Sequence, residues 1–236
     1  MRHARLLPVL ALTGVTLLSG CGVAGTQFSP GVAAKVGDVR ITEHQVEQVT
    51  DGYCGAIEAV SAEQGGTQSV PLRYLTHEFT TTLVIKAAAE QLAEQYDVQA
   101  GDSYRQALAQ LEPQVASLSR AQRDAVLEIE GGQAYYQDVL TQIGAIEAGD
   151  DEGDDADNGA TDGAAAAGQA VLDDWFEKND VEVNPKYAFE YGTAGQADTD
   201  TSVAVSSAAT GGLAAQPSES YAASLPQHMV CGGTEG

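Results

Sequence analysis

The residues of this chain best suited to covalent chemistry are its three cysteines, Cys21, Cys54 and Cys231. Leu18-Ser19-Gly20 stands directly before Cys21, and small residues at such a position let a peptidase reach the backbone of a secretory signal. This arrangement is typical of a lipobox, whose cysteine receives a thioether-linked diacylglycerol and usually a further N-acyl chain. Two or more acyl chains give stable membrane anchoring. We therefore predict that Cys21 is the lipidation site.

The segment before Cys21 has the composition of a lipoprotein signal peptide, which we place at residues 1–20. Arg2 and Arg5 give it a positive start, and the apolar run that follows is too short for a permanent membrane span. The alternatives are a buried helix and an ordinary cleaved signal in which the cysteine has no role. Residues 21–31 are rich in glycine and small polar residues, which predicts a flexible tether on the outer face of the cell membrane.

The remaining two cysteines, Cys54 and Cys231, are predicted to form a disulfide. An oxidising compartment outside the cytoplasm favours their pairing, and no CxxC redox motif is present. The bond would draw the last apolar residues, Leu225, Met229 and Val230, toward the first helix. The alternative is two free thiols, one buried and one in a disordered tail.

No other residues have the spacing of a catalytic or metal-binding site. His44, His77 and His228 are far apart in the sequence, so isolated surface histidines are the better interpretation. His77-Glu78 begins like a zincin helix, but Thr81 stands where the second histidine is required. The sequence also lacks the G-x-S-x-G, S-x-x-K and phosphate-loop motifs. We expect no enzymatic activity, no cofactor and no metal.

Charge and length limit the possible partners. The 236 residues include 34 acidic and 11 basic side chains, for a net charge of -23, so nucleic acid and anionic lipid surfaces are poor partners. The length suits one domain with an appendage. The acidic balance is most simply explained by solubility outside the cell.

The elements that position the first part of the chain follow from local patterns. Two short β-branched runs, residues 32–36 and 39–41, surround Gly37-Asp38 and predict a hairpin. A capping box then predicts a first helix over 43–63, ended by Gly65-Gly66.

Three further helices are predicted from apolar spacing. The second begins near Pro71 and ends at about Tyr96. The third follows Gly101 and is kinked by Pro113; its apolar stripe is Tyr104, Leu108, Leu111, Val115 and Leu118. The fourth begins with a Ser119/Gln122 capping box and has a weak point at Gly131-Gly132; its stripe is Val126, Ile129, Tyr136, Val139, Leu140, Ile143 and Ile146.

An acidic stretch over 149–163 contains no apolar residue larger than alanine, which predicts a linker without a stable fold. The alternative, a calcium loop starting at Asp155, lacks the glycine and the closing glutamate that an EF-hand requires. Helical spacing resumes at Ala164 and ends near Asn179. Short strands are predicted at 181–183 and 187–191.

The last part of the chain, residues 192–236, has the low-complexity composition of a tail, pinned near its end by Cys231. Aromatic side chains upstream of it stand at helical spacing beside aliphatic ones, which favours a role in the core over contact with a partner; they are Tyr135, Tyr136, Trp175 and Phe176. The expected fold class is therefore mainly α, with a short β-hairpin or small sheet at its ends.

The sequence resembles the N-terminal domain of the SurA and PrsA class of extracytoplasmic folding factors. The residues that carry the resemblance are VAAKVGDVRITEHQVEQ from Val32 and the return segment DWFEKNDVEVNPKY from Asp174 to Tyr187. It covers roughly 32–148 and 164–191, within a domain of 32–191. The resemblance implies one helical chaperone module that binds unfolded or newly secreted polypeptides.

The chain departs from this family at the position of the catalytic domain. Only residues 149–163 separate the fourth helix from the returning one, and a parvulin isomerase domain needs several times that length. The resemblance therefore implies an ATP-independent holdase without prolyl isomerase activity, attached to the membrane through its lipid. The alternative function is a structural lipoprotein that scaffolds an envelope assembly. The client and the oligomeric state do not follow from the sequence.

Overall fold

The computed structural model describes residues 30–64, 69–149, 158–187, 206 and 217–232. The predicted signal peptide, the predicted lipidation site Cys21 and nearly all of the predicted tether lie outside the described residues. Within the described part, no helix combines the length and apolar character needed to cross a membrane. The predicted fold class, mainly α with a small antiparallel sheet, is confirmed.

The chain begins with the predicted hairpin. Strand β1 (Val32–Val36) pairs antiparallel with β2 (Val39–Thr42), and the turn between them places Gly37 at φ +56°, a conformation that glycine adopts without steric cost. The other edge of β1 pairs antiparallel with β4 (Val181–Val183), so β1 is central. The predicted strand at 181–183 is therefore confirmed. It forms one edge of the sheet, although it lies about 140 residues after the hairpin in the sequence.

The first two helices agree closely with prediction. Helix α1 (Glu43–Gln64) starts where the Gln45 N–H donates to Thr42 Oγ1 at 3.1 Å. The glycines expected to end it lie outside the described residues. Strand β3 (Ser69–Pro71) leads into α2 (Leu72–Tyr96), so the proline occupies the N-cap position rather than the first turn.

The third helix is shorter than predicted. Helix α3 (Asp102–Gln114) has Pro113 in its last turn, one residue before its end, so no helix follows the proline that it could kink. Val115 and Leu118 therefore lie beyond it. Val115 is buried in a small second cluster with Ala56 and Val126.

The predicted fourth helix is continuous but changes its hydrogen bonding along its length. Helix α4 (Arg120–Val126) has the predicted capping box, in which the Gln122 N–H donates to Ser119 Oγ and the Ser119 N–H donates to Gln122 Oε1. A π-helical turn (Leu127–Gly131) then leads into α5 (Gly132–Ala148). The predicted weak point at Gly131-Gly132 is therefore the place where the π turn ends and α5 begins, and the helix is not broken there. Ile146, predicted for the core, is 54% exposed.

Helix α6 (Asn158–Lys178) begins inside the predicted linker, which extended to residue 163. The buried Ala164 lies against α5, and extending a helix beyond a docked residue costs little once the helix has nucleated. Trp175 and Phe176 are buried in the main core, as predicted. Tyr135 and Tyr136 are only half-buried around it.

Two parts of the C-terminal region differ from prediction. Tyr187, expected to begin a strand, ends a 3-10 turn (Pro185–Tyr187), because the Lys186 N–H donates to Asn184 Oδ1 at 3.0 Å and the Tyr187 N–H donates to the Asn184 carbonyl at 2.9 Å. Residues 188–191 lie outside the described part. Within the predicted low-complexity tail, α7 (Glu219–Ser224) is followed by a 3-10 turn and β5 (Val230–Gly232).

Candidate functional site

Helix α3 presents the best candidate for a polypeptide-binding surface. No side chain on this helix is fully buried, although it carries an apolar stripe. Tyr104, Leu108 and Leu111 are half-buried against the π turn and α5, and the Tyr104 and Tyr135 rings meet edge to face at 5.6 Å. An apolar stripe that its own domain covers only in part remains open to a partner.

A groove of about 220 Å³ lies between α3 on one side and the π turn and the start of α5 on the other. Its walls combine aliphatic side chains with amides and one carboxylate; the lining residues are Ala107, Leu108, Gln110, Leu111, Gln114, Glu130, Gly131 and Ala134. Such a surface can bind apolar side chains and hydrogen-bond a backbone.

The start of α3 is held in place by a buried carboxylate on α5. The Gly101 N–H donates to Asp138 Oδ2 at 2.6 Å, and Gln142 Nε2 donates to the same oxygen at 2.9 Å. Gln142 Nε2 also donates to the Gln99 carbonyl at 3.1 Å. These bonds set the distance between α3 and α5 and therefore the width of the groove.

The floor of the groove belongs to the π turn, which is anchored to α1 through Tyr53. The Tyr53 hydroxyl donates a short hydrogen bond to Glu130 Oε1, and its ring lies 4.7 Å from that of Phe79. Burial raises the pKa of Tyr53 far above its ordinary range, and the hydrogen bond to Glu130 and its negative charge raise the pKa further. Tyr53 is therefore a neutral donor at any physiological pH.

The same turn is anchored to α2 through Lys86. Its amine donates to Glu128 Oε1 at 3.0 Å and lies 3.6 Å from Glu90 Oε1. Burial lowers the pKa of Lys86, but the hydrogen bond to Glu128 and the charges of Glu128 and Glu90 outweigh it, so the pKa is raised. The π turn thus bonds α1 and α2 through its two glutamates. The sequence pattern predicted a single helix here and not this turn, although π turns are frequent at functional sites.

The structure brings Cys54 and Cys231 together as a disulfide, with their Cα atoms 5.4 Å apart. Cys54 is half-buried on α1, and Cys231 is completely buried in β5. Of the residues expected to follow, Val230 is buried, whereas Met229 is 44% exposed and does not join the packing. One local signal could have revealed α7 within the tail: Ser218 is an N-cap that accepts from the Tyr221 N–H at 3.2 Å.

The three histidines of the described residues do not meet. His44 and His228 are exposed, while His77 is half-buried with Nδ1 2.9 Å from the Tyr187 carbonyl, where it holds the return segment against α2. Across the described ranges, no three His, Cys, Asp or Glu side chains are close enough to form a metal site.

Comparison with known proteins finds no matching family model, no matching curated protein and no matching solved structure.

Proposed function

We propose that this chain is a lipid-anchored extracytoplasmic protein that binds apolar segments of unfolded or newly secreted polypeptides, without ATP and without prolyl isomerase activity. The half-buried apolar stripe of α3 carries the proposal, because it is an apolar surface that the protein itself leaves partly uncovered. The groove beside it offers both aliphatic contacts and amide hydrogen bonds. An extended apolar segment presents groups that match both: apolar side chains for the aliphatic contacts, and backbone N–H and C=O groups for the amide hydrogen bonds.

Charge supports the same function. With a net charge of -23, the protein repels other copies of itself, which keeps a complex with an apolar segment in solution. The resemblance of the front and return segments to extracytoplasmic folding factors points in the same direction, but it is an analogy of fold and not of a site.

A scaffold function is the second candidate, and one observation favours it. Among the described residues, only three large hydrophobic side chains are 40% exposed or more: Val60, Ile146 and Met229. A holdase with many clients usually has a broad apolar surface, whereas a scaffold needs a single patch shaped for one partner. The two functions differ in their effect on an arbitrary unfolded protein.

The chain from residue 22 onward is expected to slow the aggregation of a chemically unfolded client and to leave proline isomerisation at its uncatalysed rate. Light scattering measures the first effect, and a proline-peptide assay measures the second. Replacing Leu108→Ser and Leu111→Ser together should remove most of the protection, because the apolar stripe loses its two largest aliphatic side chains.

The matched control is Gln106→Ser, an exposed position of the same helix that does not line the groove. This control should protect the client as well as the unaltered chain does. Equal protection by the double variant would show that α3 is not the binding surface. Scattering unchanged by any form of the protein would exclude the holdase function and leave the scaffold.

The Cys21→Ala variant is expected to leave the membrane fraction or to accumulate as the unprocessed precursor. The reason is that the lipobox supplies the proposed anchor, and no helix of the described part can span a membrane. Fractionation and metabolic labelling with a palmitate analogue measure both effects. Label retained by the Cys21→Ala variant would contradict the assignment.

A further inference from the structure

Strand β5, the last strand among the described residues, is buried as if it were a bound peptide. All three residues of β5 are buried, and they pair antiparallel with β3, with Val70 opposite Cys231. The other side of β5 lies against α1, where Cys54 forms the disulfide. Thus β5 occupies a cleft that has a strand edge on one side and a helix on the other.

The cleft depends on β5 for its completion. Strand β3 has three residues, and in the part of the chain that the structure describes its only strand partner is β5. Without β5, the edge of β3 would expose unpaired backbone groups beside the apolar side chain of Val70, which packs against the core. Free strand edges with such neighbours bind extended peptides by adding a strand.

We propose that the edge of β3 and the adjoining face of α1 form a strand-binding site, which the chain's own β5 fills and the Cys54–Cys231 bond locks. The external occupant is an extended apolar segment of a client polypeptide, because the resident occupant is an extended segment whose Val230 is buried. This inference rests on the proposed function for its client. The strand-binding site would be a second place where this chain contacts the client, distinct from the α3 groove.

Opening the site requires reduction by a dithiol. The half-buried Cys54 is the more accessible sulfur, so a thiolate of the dithiol attacks it, and Cys231 leaves as a thiolate and takes up a proton. The second thiol then displaces Cys54, which is also protonated. The dithiol becomes a disulfide and has given up two electrons and two protons. Once unlocked, β5 remains tethered and competes with an external strand as an intramolecular ligand.

The test measures binding of a fluorescent peptide that copies residues 217–232 with Cys231→Ser. The host is the chain from residue 22 with Cys54→Ala and Cys231→Ala, which removes the lock. Adding Val230→Asp should eject the resident strand, since the carboxylate would enter a buried position. The matched control adds Met229→Asp at the exposed neighbouring position, where the resident strand stays in place.

Anisotropy should show the tightest binding for the host with Val230→Asp, binding about tenfold weaker for the host with Met229→Asp, and none for the oxidised unaltered chain. Equal affinities for the two variants would overturn the proposal. Hydrogen exchange provides the second measurement. Removing the lock should weaken protection at 69–71 and 217–232 in the host with Met229→Asp and abolish it in the host with Val230→Asp, while α5 and α6 stay protected in both. Loss of protection throughout the chain would show that the whole fold requires β5, and this result would also overturn the proposal.

Failure of this site and failure of the proposed function give different results. If the peptide binds as expected but no form of the chain slows client aggregation, the strand site exists and the holdase function is wrong. If aggregation is slowed equally by the oxidised and unlocked chains and the peptide does not bind, the holdase function survives and the strand site is wrong.

Discussion

Removing the Cys54–Cys231 bond by replacing both residues with alanine is expected to lower the free energy of unfolding by about 5 kcal/mol in the chain-entropy treatment. The bond joins residues 177 positions apart, so it closes a very long loop in the unfolded chain and restricts that state strongly. A loss of this size is comparable with the whole stability of many domains. The folded body should nevertheless survive, because its core is built mainly from α1, α2, α5 and α6.

Urea unfolding of the oxidised chain and of the alanine pair, both without reductant, measures the difference. Non-reducing peptide mapping must first recover the two cysteine peptides joined. The control is the unaltered chain in dithiothreitol, which should unfold at the same urea concentration as the alanine pair. A difference below about 1 kcal/mol would contradict the entropic argument.

Replacing Gly144 with alanine is expected to cost more than about 3 kcal/mol of stability. Helices α5 and α6 cross with their backbones in contact, and a Cβ on Gly144 would overlap the carbonyl oxygen of Ala164. A Cβ on Gly168 would likewise overlap the carbonyl oxygen of Leu140. Because the neighbouring atoms belong to helix backbone, no side chain can rotate away, and α6 must move as a whole.

Gly163→Ala on the same helix is the matched control. Its Cβ would meet no atom within 4 Å, so the substitution should instead stabilise the chain by about 0.5–1 kcal/mol through helix propensity. Thermal unfolding of both variants measures the two effects. Equal melting temperatures for them would show that the crossing is looser than the structure indicates.

Elements set by neighbours in the sequence could be predicted from it. The hairpin around Gly37, the capping box at Ser119 and the extents of α1 and α2 depend on contacts within a few residues. Such local patterns repeat in many proteins and are therefore recognisable in one sequence. Several errors came where a distant contact overrode the local pattern, whereas the 3-10 turn at Pro185–Tyr187 replaced the predicted strand through local hydrogen bonds to Asn184.

Two examples show how distant contacts acted. Alanine and glycine gave little sign that α6 begins at Asn158, because small residues there look like a linker until α5 packs against them. The stripe of the predicted fourth helix extended to Ile146, but no element of the described residues covers that side chain, which is 54% exposed. Burial depends on the neighbouring element, not on the spacing alone.

Only the residues of the candidate binding surface could be predicted from the sequence, not its exposure. The apolar spacing of α3 was visible in the sequence, but its partial coverage depends on where Asp138 holds Gly101 and on the π turn beneath. The pairing of Cys54 with Cys231 was likewise proposed from compartment and count, whereas the packing of β5 against β3 had no sequence signal.

By itself the sequence determined the extents of α1 and α2, the hairpin, the strong negative charge and the presence of three cysteines. These depend on composition and on hydrogen bonds between near neighbours. Only the tertiary structure decided which apolar faces are covered, how closely α5 and α6 approach at Gly144, and which strand edge receives the end of the chain. Those outcomes depend on shape complementarity between segments far apart in the sequence, which no local pattern encodes.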